Sequence, residues 1–237
     1  MDYANNCLGT HRCCFRAQKQ ANTYCVWEIK MIDLYTASAP NGYKISIALE
    51  EFGLPYNVKR VNIGEGEQFK PEFLALNPNA KIPVIVDNET GQTVFESCAI
   101  LLYLAEKTGK FMPKSVQGRW EVIQWLFFQA ASIGPMLGQM AHFMRYAPEQ
   151  IPYAIERYTK EAHRLFGILE ERLQDREFIC NEYSIVDMAH FGWLYFGVKM
   201  GAIDGEKYPR LITWHDKIVS RPAVITGLTV PEPSKFK

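Results

Sequence analysis

The apolar pattern of this chain changes period once, at about residues 109–115, and that change limits the folds open to it. Before it, short alternating runs interleave with runs of helical spacing. After it, every periodic stretch repeats at helical spacing. A chain written this way builds a small α/β unit followed by an all-helical one. Its 237 residues, 48% of them hydrophobic, are enough for two such units with a sizeable core.

Ile32-Asp33-Leu34-Tyr35 alternates as a strand does, and Ile45, Ala48, Leu49 and Phe52 then recur at helical spacing up to Gly53. Tyr56 to Ile63 reads as a second strand and Pro71 to Leu76 as a short helix. Pro83–Val86 and Thr93–Phe95 flank the turn-rich Asn88-Glu89-Thr90-Gly91, which predicts a hairpin. Ser97 is the expected cap of a helix through Ala99, Leu102, Tyr103 and Glu106. The order βαβαββα implies a parallel pair with an antiparallel edge.

Beyond the linker at 109–115, Ile123, Leu126, Phe127, Ala130, Ala131 and Gly134 form one helical stripe. Ile151, Ala154, Ile155, Tyr158, Ala162, Leu165, Leu169 and Leu173 form a longer one. Ser184-Ile185-Val186-Asp187 resembles a capping box opening a helix over about 185–199, and another helix is expected over 208–220. The expected organisation is an α/β unit at 31–108, the linker, a helical unit at 116–225 and a tail at 226–237.

Residues 1–30 carry neither period nor the long apolar core of a secretory signal. They are expected to be a disordered or non-native leader, with folded sequence starting at Met31. His11, Cys13, Cys14 and Cys25 fit no standard zinc-ligand spacing, so no metal is expected. Only Cys98 and Cys180 lie beyond the leader, which suggests a reducing compartment, most simply the cytoplasm. Lys plus Arg and Asp plus Glu both total 26, so a generally basic nucleic-acid binder is not expected. The longest apolar run, Cys98 to Ala105, is far short of the roughly 20 residues a membrane-spanning helix needs.

Three stretches could carry chemistry. Thr36-Ala37-Ser38-Ala39-Pro40-Asn41-Gly42 joins a strand to a helix start, where N–H groups and the helix dipole favour a thiolate. It contains no cysteine, so thiol chemistry there needs a sulfur brought by a ligand, to which the Asn41 amide can donate. Otherwise the turn simply starts a helix. Lys81-Ile82-Pro83 opens a strand, and a cis proline there would free the Ile82 backbone for an extended peptide ligand. Glu96-Ser97 stands at another helix start, suited to the ammonium and carboxylate of a free amino-acid end, or to ordinary capping. Cys98 reads as a packing residue. Tyr153, Arg157 and Tyr158 can project from one long helix toward the first unit, although Arg157 alone reads equally as a surface residue.

Asn-Pro-Asn-Ala-Lys-Ile-Pro-Val at 77–84, Phe-Glu-Ser-Cys-Ala-Ile-Leu-Leu-Tyr-Leu at 95–104 and Tyr-Ser-Ile-Val-Asp-Met-Ala at 183–189 together resemble a glutathione transferase over about 31–225. Ala-Pro-Asn-Gly at 39–42, Gly-Glu-Gln-Phe at 66–69, Gly-Pro-Met-Leu-Gly-Gln at 134–139 and Pro-Tyr-Ala-Ile-Glu-Arg-Tyr at 152–158 resemble its nu class of glutathione-dependent disulfide reductases. The resemblance implies an α/β thioredoxin-like N-terminal domain, an all-α C-terminal domain and a homodimer. It implies glutathione as cosubstrate, bound by Asn41, Gln68, Lys81, Ile82, Glu96 and Ser97, with Arg157 reaching in from the helical domain or the partner subunit. Asn41 is the expected catalytic sulfur contact. Some relatives carry threonine where Ala39 stands, and Ser38 or Thr36 are candidate replacements for that hydroxyl. Two functions fit: a disulfide reductase with weak transferase or peroxidase activity, or a non-enzymatic glutathione-binding regulator on the same fold.

Overall fold

The structure, a computed structural model, describes residues 31–233. The expected leader, with His11, Cys13, Cys14 and Cys25, lies outside the described residues. Four strands form one sheet in the order β2-β1-β3-β4. They are β1 (Ile32–Thr36), β2 (Tyr56–Arg60), β3 (Val84–Asp87) and β4 (Gln92–Phe95). β1 runs parallel to β2 and antiparallel to β3, and β3 and β4 form the hairpin. This is the thioredoxin-like arrangement of mixed sheet and helices. β2 ends at Arg60, short of the expected Ile63, because Ile63–Glu65 winds into a 3₁₀ turn.

The sheet carries α1 (Pro40–Phe52), α2 (Pro71–Leu74) and α3 (Ser97–Thr108). Gly53 and Gly109 close α1 and α3 in the left-handed conformation that a helix C-terminus needs. The helical part comprises α4 (Val116–Phe128), α5 (Gly134–Ala141), α6 (Pro152–Arg172), α7 (Ile185–Lys199), α8 (Pro209–Val219) and α9 (Pro222–Gly227). None of the described helices is long and apolar enough to cross a membrane.

One apolar core runs through both parts, from Leu34, Ile45 and Ile100 to Leu126, Leu165 and Phe191. α7 is its axis, with nearly every residue from Ile185 to Gly197 buried. A helix apolar on all sides is stable only inside a protein. Gly192 lets it approach the start of α1, since a Cβ there would stand 2.2 Å from the Pro40 carbonyl oxygen.

The stripe expected on α4 is corrected. The inward residues are Val122, Leu126, Gln129, Ile133, Gly134 and Leu137, so Leu126 and Gly134 of the expected stripe are buried, whereas Phe127 is 66% exposed and Ala130 and Ala131 are exposed as well. Residues Gln129–Ile133 form a π-helical turn, which inserts a residue and shifts the phase. A polar residue, Gln129, occupies the core position that an apolar count passes over. On α6 the buried stripe runs from Ala162 to Leu173, while Ile151 stays exposed. α9 crosses the expected boundary at 225, and its end returns to α1, where Ser46 Oγ donates to the Gly227 carbonyl at 2.7 Å.

Candidate functional site

A cavity of about 430 Å³ lies between the two parts, within the roughly 300–1,000 Å³ usual for small-ligand sites. Asn41 and Lys44 of α1, Glu96 and Ser97 at the head of α3, and the Asn77–Pro83 approach to β3 form one wall. Gln129, the Gly134–Gln139 face of α5 and Trp193 of α7 form the other.

Neither helix that points into the cavity caps itself with a side chain. α1 begins after Ala39, which has no side-chain oxygen to offer, with Pro40 in its first turn. α3 begins after Glu96, whose φ of 68° is a left-handed conformation unusual for a residue with a side chain. The expectation that Ser97 caps α3 is corrected, for Ser97 is the first helical residue and its side chain caps nothing. Its hydroxyl oxygen instead accepts from Lys44 Nζ at 3.2 Å. Backbone N–H groups at both starts therefore remain for an external acceptor.

Asn41 has a fixed orientation. Trp193 Nε1 donates to Asn41 Oδ1 at 2.9 Å. That bond assigns the oxygen side of the amide to α7 and leaves the two Nδ2 hydrogens as donors. Trp193 lies against α5, where a Cβ at either Gly134 or Gly138 would stand 3.3 Å from its ring. Ser38 and Thr36 are engaged elsewhere: Ser38 Oγ donates to the Glu232 carbonyl at 2.9 Å, and the buried Thr36 Oγ1 donates to the Ala37 carbonyl at 3.4 Å. Among the residues of this turn, only Asn41 lines the cavity.

Lys81, Ile82 and Pro83 line the same wall of the cavity. The Ile82–Pro83 bond is cis. Asn77 holds the loop, donating from Nδ2 to the Lys81 carbonyl at 2.7 Å and accepting from the Asn79 N–H at 2.9 Å. Ala80, at φ 54°, is a second non-glycine residue in the left-handed region beside the cavity. Such strained residues gather where the surrounding structure holds a site in shape.

The structure brings together Asn41, Lys81, Ile82, Glu96 and Ser97. It does not bring Gln68 or Arg157 into the same cavity. Gln68 sits in the 3₁₀ turn Glu67–Phe69 and donates to the Ile63 carbonyl at 3.3 Å. Arg157 is exposed on α6, in a separate groove of about 730 Å³ shared with Met136, Tyr153, Tyr158 and Arg164.

Two residues that the pattern did not single out complete the floor. Lys44 is 2% exposed, and Nζ donates to Gln129 Oε1 at 2.7 Å as well as to Ser97. Burial pushes its ammonium down to about 8. The signals were a lysine one helical turn beyond Asn41 among apolar neighbours and a glutamine at a core position. Cys98 packs beside them, its Sγ 3.4 Å from Gln129 Oε1, and burial pushes its thiol above the ordinary value. Cys180 is likewise raised by burial, to about 12, so neither described cysteine has the depressed value of a nucleophile. No cluster of metal-ligating side chains occurs among the described residues.

Thioredoxin-like sheet, helical partner domain and a cleft at two uncapped helix starts define the class. The chain belongs to the glutathione transferase family: residues 31–106 match the family described as "Glutathione S-transferase, N-terminal domain" and residues 136–222 the corresponding C-terminal domain. The chain is 48% identical over 199 residues to the disulfide-bond oxidoreductase YfcG of Escherichia coli, covering 81% of this chain and 92% of that protein. It is also similar to a Burkholderia graminis glutathione transferase solved with two glutathione molecules per subunit, at 42% identity and TM-score 0.81, over 85% of this chain and 89% of that one. A Pseudomonas putida glutathione transferase solved with one glutathione disulfide per subunit has TM-score 0.80 at 36% identity, over 88% and 95% of the two chains.

Proposed function

We propose that the protein is a glutathione-dependent disulfide-bond reductase, with glutathione as cosubstrate in the cavity between the domains. The single observation that carries this reading is the cysteine-free start of α1, where Trp193 turns the donor side of Asn41 away from α7. Glu96 accepts the γ-glutamyl ammonium, Ser97 and the head of α3 receive its carboxylate, and Ile82 pairs with the peptide backbone. Lys81 contributes at the rim. The sulfur then lies at the start of α1, where the Asn41 amide and the helix dipole favour its thiolate.

The reaction follows from these placements. The bound thiolate attacks one sulfur of a disulfide, the S–S bond breaks, and the departing thiolate takes up a proton. A second glutathione attacks the glutathione sulfur of the mixed disulfide. The products are glutathione disulfide and two thiols. The structures of similar proteins holding two glutathiones or one glutathione disulfide per subunit suit this two-thiol sequence. Arg157 meets a glutathione carboxylate from a second copy of the chain, which makes the homodimer the working form. The free thiols of Cys98 and Cys180 suit the cytoplasm. The test is turnover of glutathione with a small disulfide, coupled to glutathione reductase. Steady turnover supports the reading; tight glutathione binding without turnover leaves a binding or regulatory protein instead.

A further inference from the structure

We propose that Lys44 and Gln129 are a buried donor pair that recognises the carboxylate of the γ-glutamyl group and supplies its counter-charge. This rests on the glutathione reading of the site and adds to the cavity a component that belongs to neither helix start.

Lys44 carries an unbalanced charge. Lys44 is almost fully buried, yet no carboxylate lies within ion-pair distance of it among the described residues. A buried cation without a partner is unfavourable, and proteins retain one where something else gains by it. The ammonium has three hydrogens. Two go to Ser97 Oγ and Gln129 Oε1, and the third has no acceptor among the described residues. Gln129 is equally incomplete, since its Oε1 is taken by Lys44 and Cys98 while Nε2 is fully buried and unpartnered. Both residues line the cavity.

Ser97 joins them. Because its oxygen accepts from an ammonium, its own proton is left to donate elsewhere. Lys44, Gln129 and Ser97 thus present four unused hydrogens, one on Nζ, two on Nε2 and one on Oγ, beside the first turn of α3, the arrangement an anion requires. The other titratable groups facing Lys44 are Glu96 and Cys98 from the head of α3 and His190 from α7. His190 is held neutral by burial, so Glu96 is the one charged neighbour. A doubly charged anion would be repelled by Glu96. An α-amino carboxylate fits, with its ammonium at the exposed Glu96 and its carboxylate at the buried cation.

Gln129 is placed by the π-helical turn at the α4–α5 junction, so this pair also ties occupancy of the thioredoxin-like half to the helical half. A purely structural role, in which Lys44 only holds Gln129 for docking of the two halves, makes a different prediction about ligands.

Calorimetric titration of the full chain separates them, using glutathione and 4-aminobutanoyl-cysteinylglycine, which lacks only the γ-glutamyl carboxylate. The parent should bind glutathione at least about tenfold more tightly than the analogue. Lys44→Met should weaken glutathione by about tenfold to a hundredfold and leave the analogue within about twofold. Gln129→Leu makes the same comparison with a smaller loss, and decides the matter where Lys44→Met does not fold. Equal weakening of both ligands, or full discrimination kept in the variants, overturns the pair. A parent that binds no glutathione overturns the functional reading beneath it.

Discussion

Two helices of this protein start with a serine and a nearby carboxylate, and they use them in opposite ways. At α7, Ser184 and Asp187 satisfy each other. Ser184 Oγ accepts from the Val186 N–H, and Asp187 accepts from the Ser184 N–H at 3.0 Å. Asp187 also takes the Ile179 N–H at 3.1 Å and Trp214 Nε1 at 2.9 Å. At α3, Ser97 is turned to Lys44, Glu96 is exposed in a left-handed conformation, and no side chain caps the helix. The first start is complete and belongs to the fold. The second is left incomplete beside a cavity, and a helix start without its own partners is where a ligand's charges are received.

The comparison breaks most severely at Asp187. Asp187→Ala leaves four buried donors, the N–H groups of Ile179 and Ser184, the Ser184 hydroxyl and Trp214 Nε1, without this acceptor and should lower stability by about 3–5 kcal/mol, read as a urea midpoint shift. A loss below about 1 kcal/mol would mean that α7 is not held by its box.

Lys44 should act with the opposite sign. The unfolded chain holds this proton up to 10.5 and the fold only to about 8. Between those values the unfolded state binds more protons, so stability rises with pH across that window, and below it the fold carries the full penalty. The penalty is on the order of 3 kcal/mol. Lys44→Met should therefore be more stable than the parent at pH 7 and should lose the parent's rise between about 8 and 10.5. Urea melts at pH 7 and 10 check both.

Glu96→Ala sharpens the other side. It should leave the melting temperature within a few degrees and weaken glutathione by about tenfold to a hundredfold, since one charge-assisted bond contributes about 1.5–3 kcal/mol. Unchanged affinity by calorimetry would remove α3 from the site. Smaller effects belong to chemistry rather than binding. Asn41→Ala should raise the pKa of the bound sulfur and lower turnover near neutral pH by about tenfold, with KM little changed. Trp193→Phe removes the bond that orients Asn41 and should reproduce this in part, about twofold to tenfold, with turnover recovering at higher pH. An ultraviolet thiolate titration on each variant reads the shift directly.

Much of this was legible beforehand because local rules governed it. The strand–helix order, Gly53 and the Ser184–Asp187 box all follow from sequence spacing. Asn41 was legible as a helix start lacking cysteine. Lys44 and Gln129 were not, because a buried lysine makes sense only with its partner, and that partner lies 85 residues away. The π-helical turn that delivers Gln129 also hid the true face of α4. Ser97 misled for a related reason, since local sequence makes it a cap and a tertiary contact takes its oxygen. Arg157 lies exposed in a separate groove on α6, and the part proposed for it needs a second copy of the chain, which no spacing within one chain reveals.

In the proposed reaction bound glutathione, and not a protein thiol, attacks the disulfide. Its most direct test is a cysteine-free variant, with serine at Cys7, Cys13, Cys14 and Cys25 and alanine at Cys98 and Cys180, assayed for turnover of a small disulfide with glutathione. With folding verified by circular dichroism, the account predicts turnover within about threefold of the parent, because none of these sulfurs takes part in exchange. Loss of turnover in the folded, glutathione-binding variant would place the attacking thiol in the protein and contradict the mechanism.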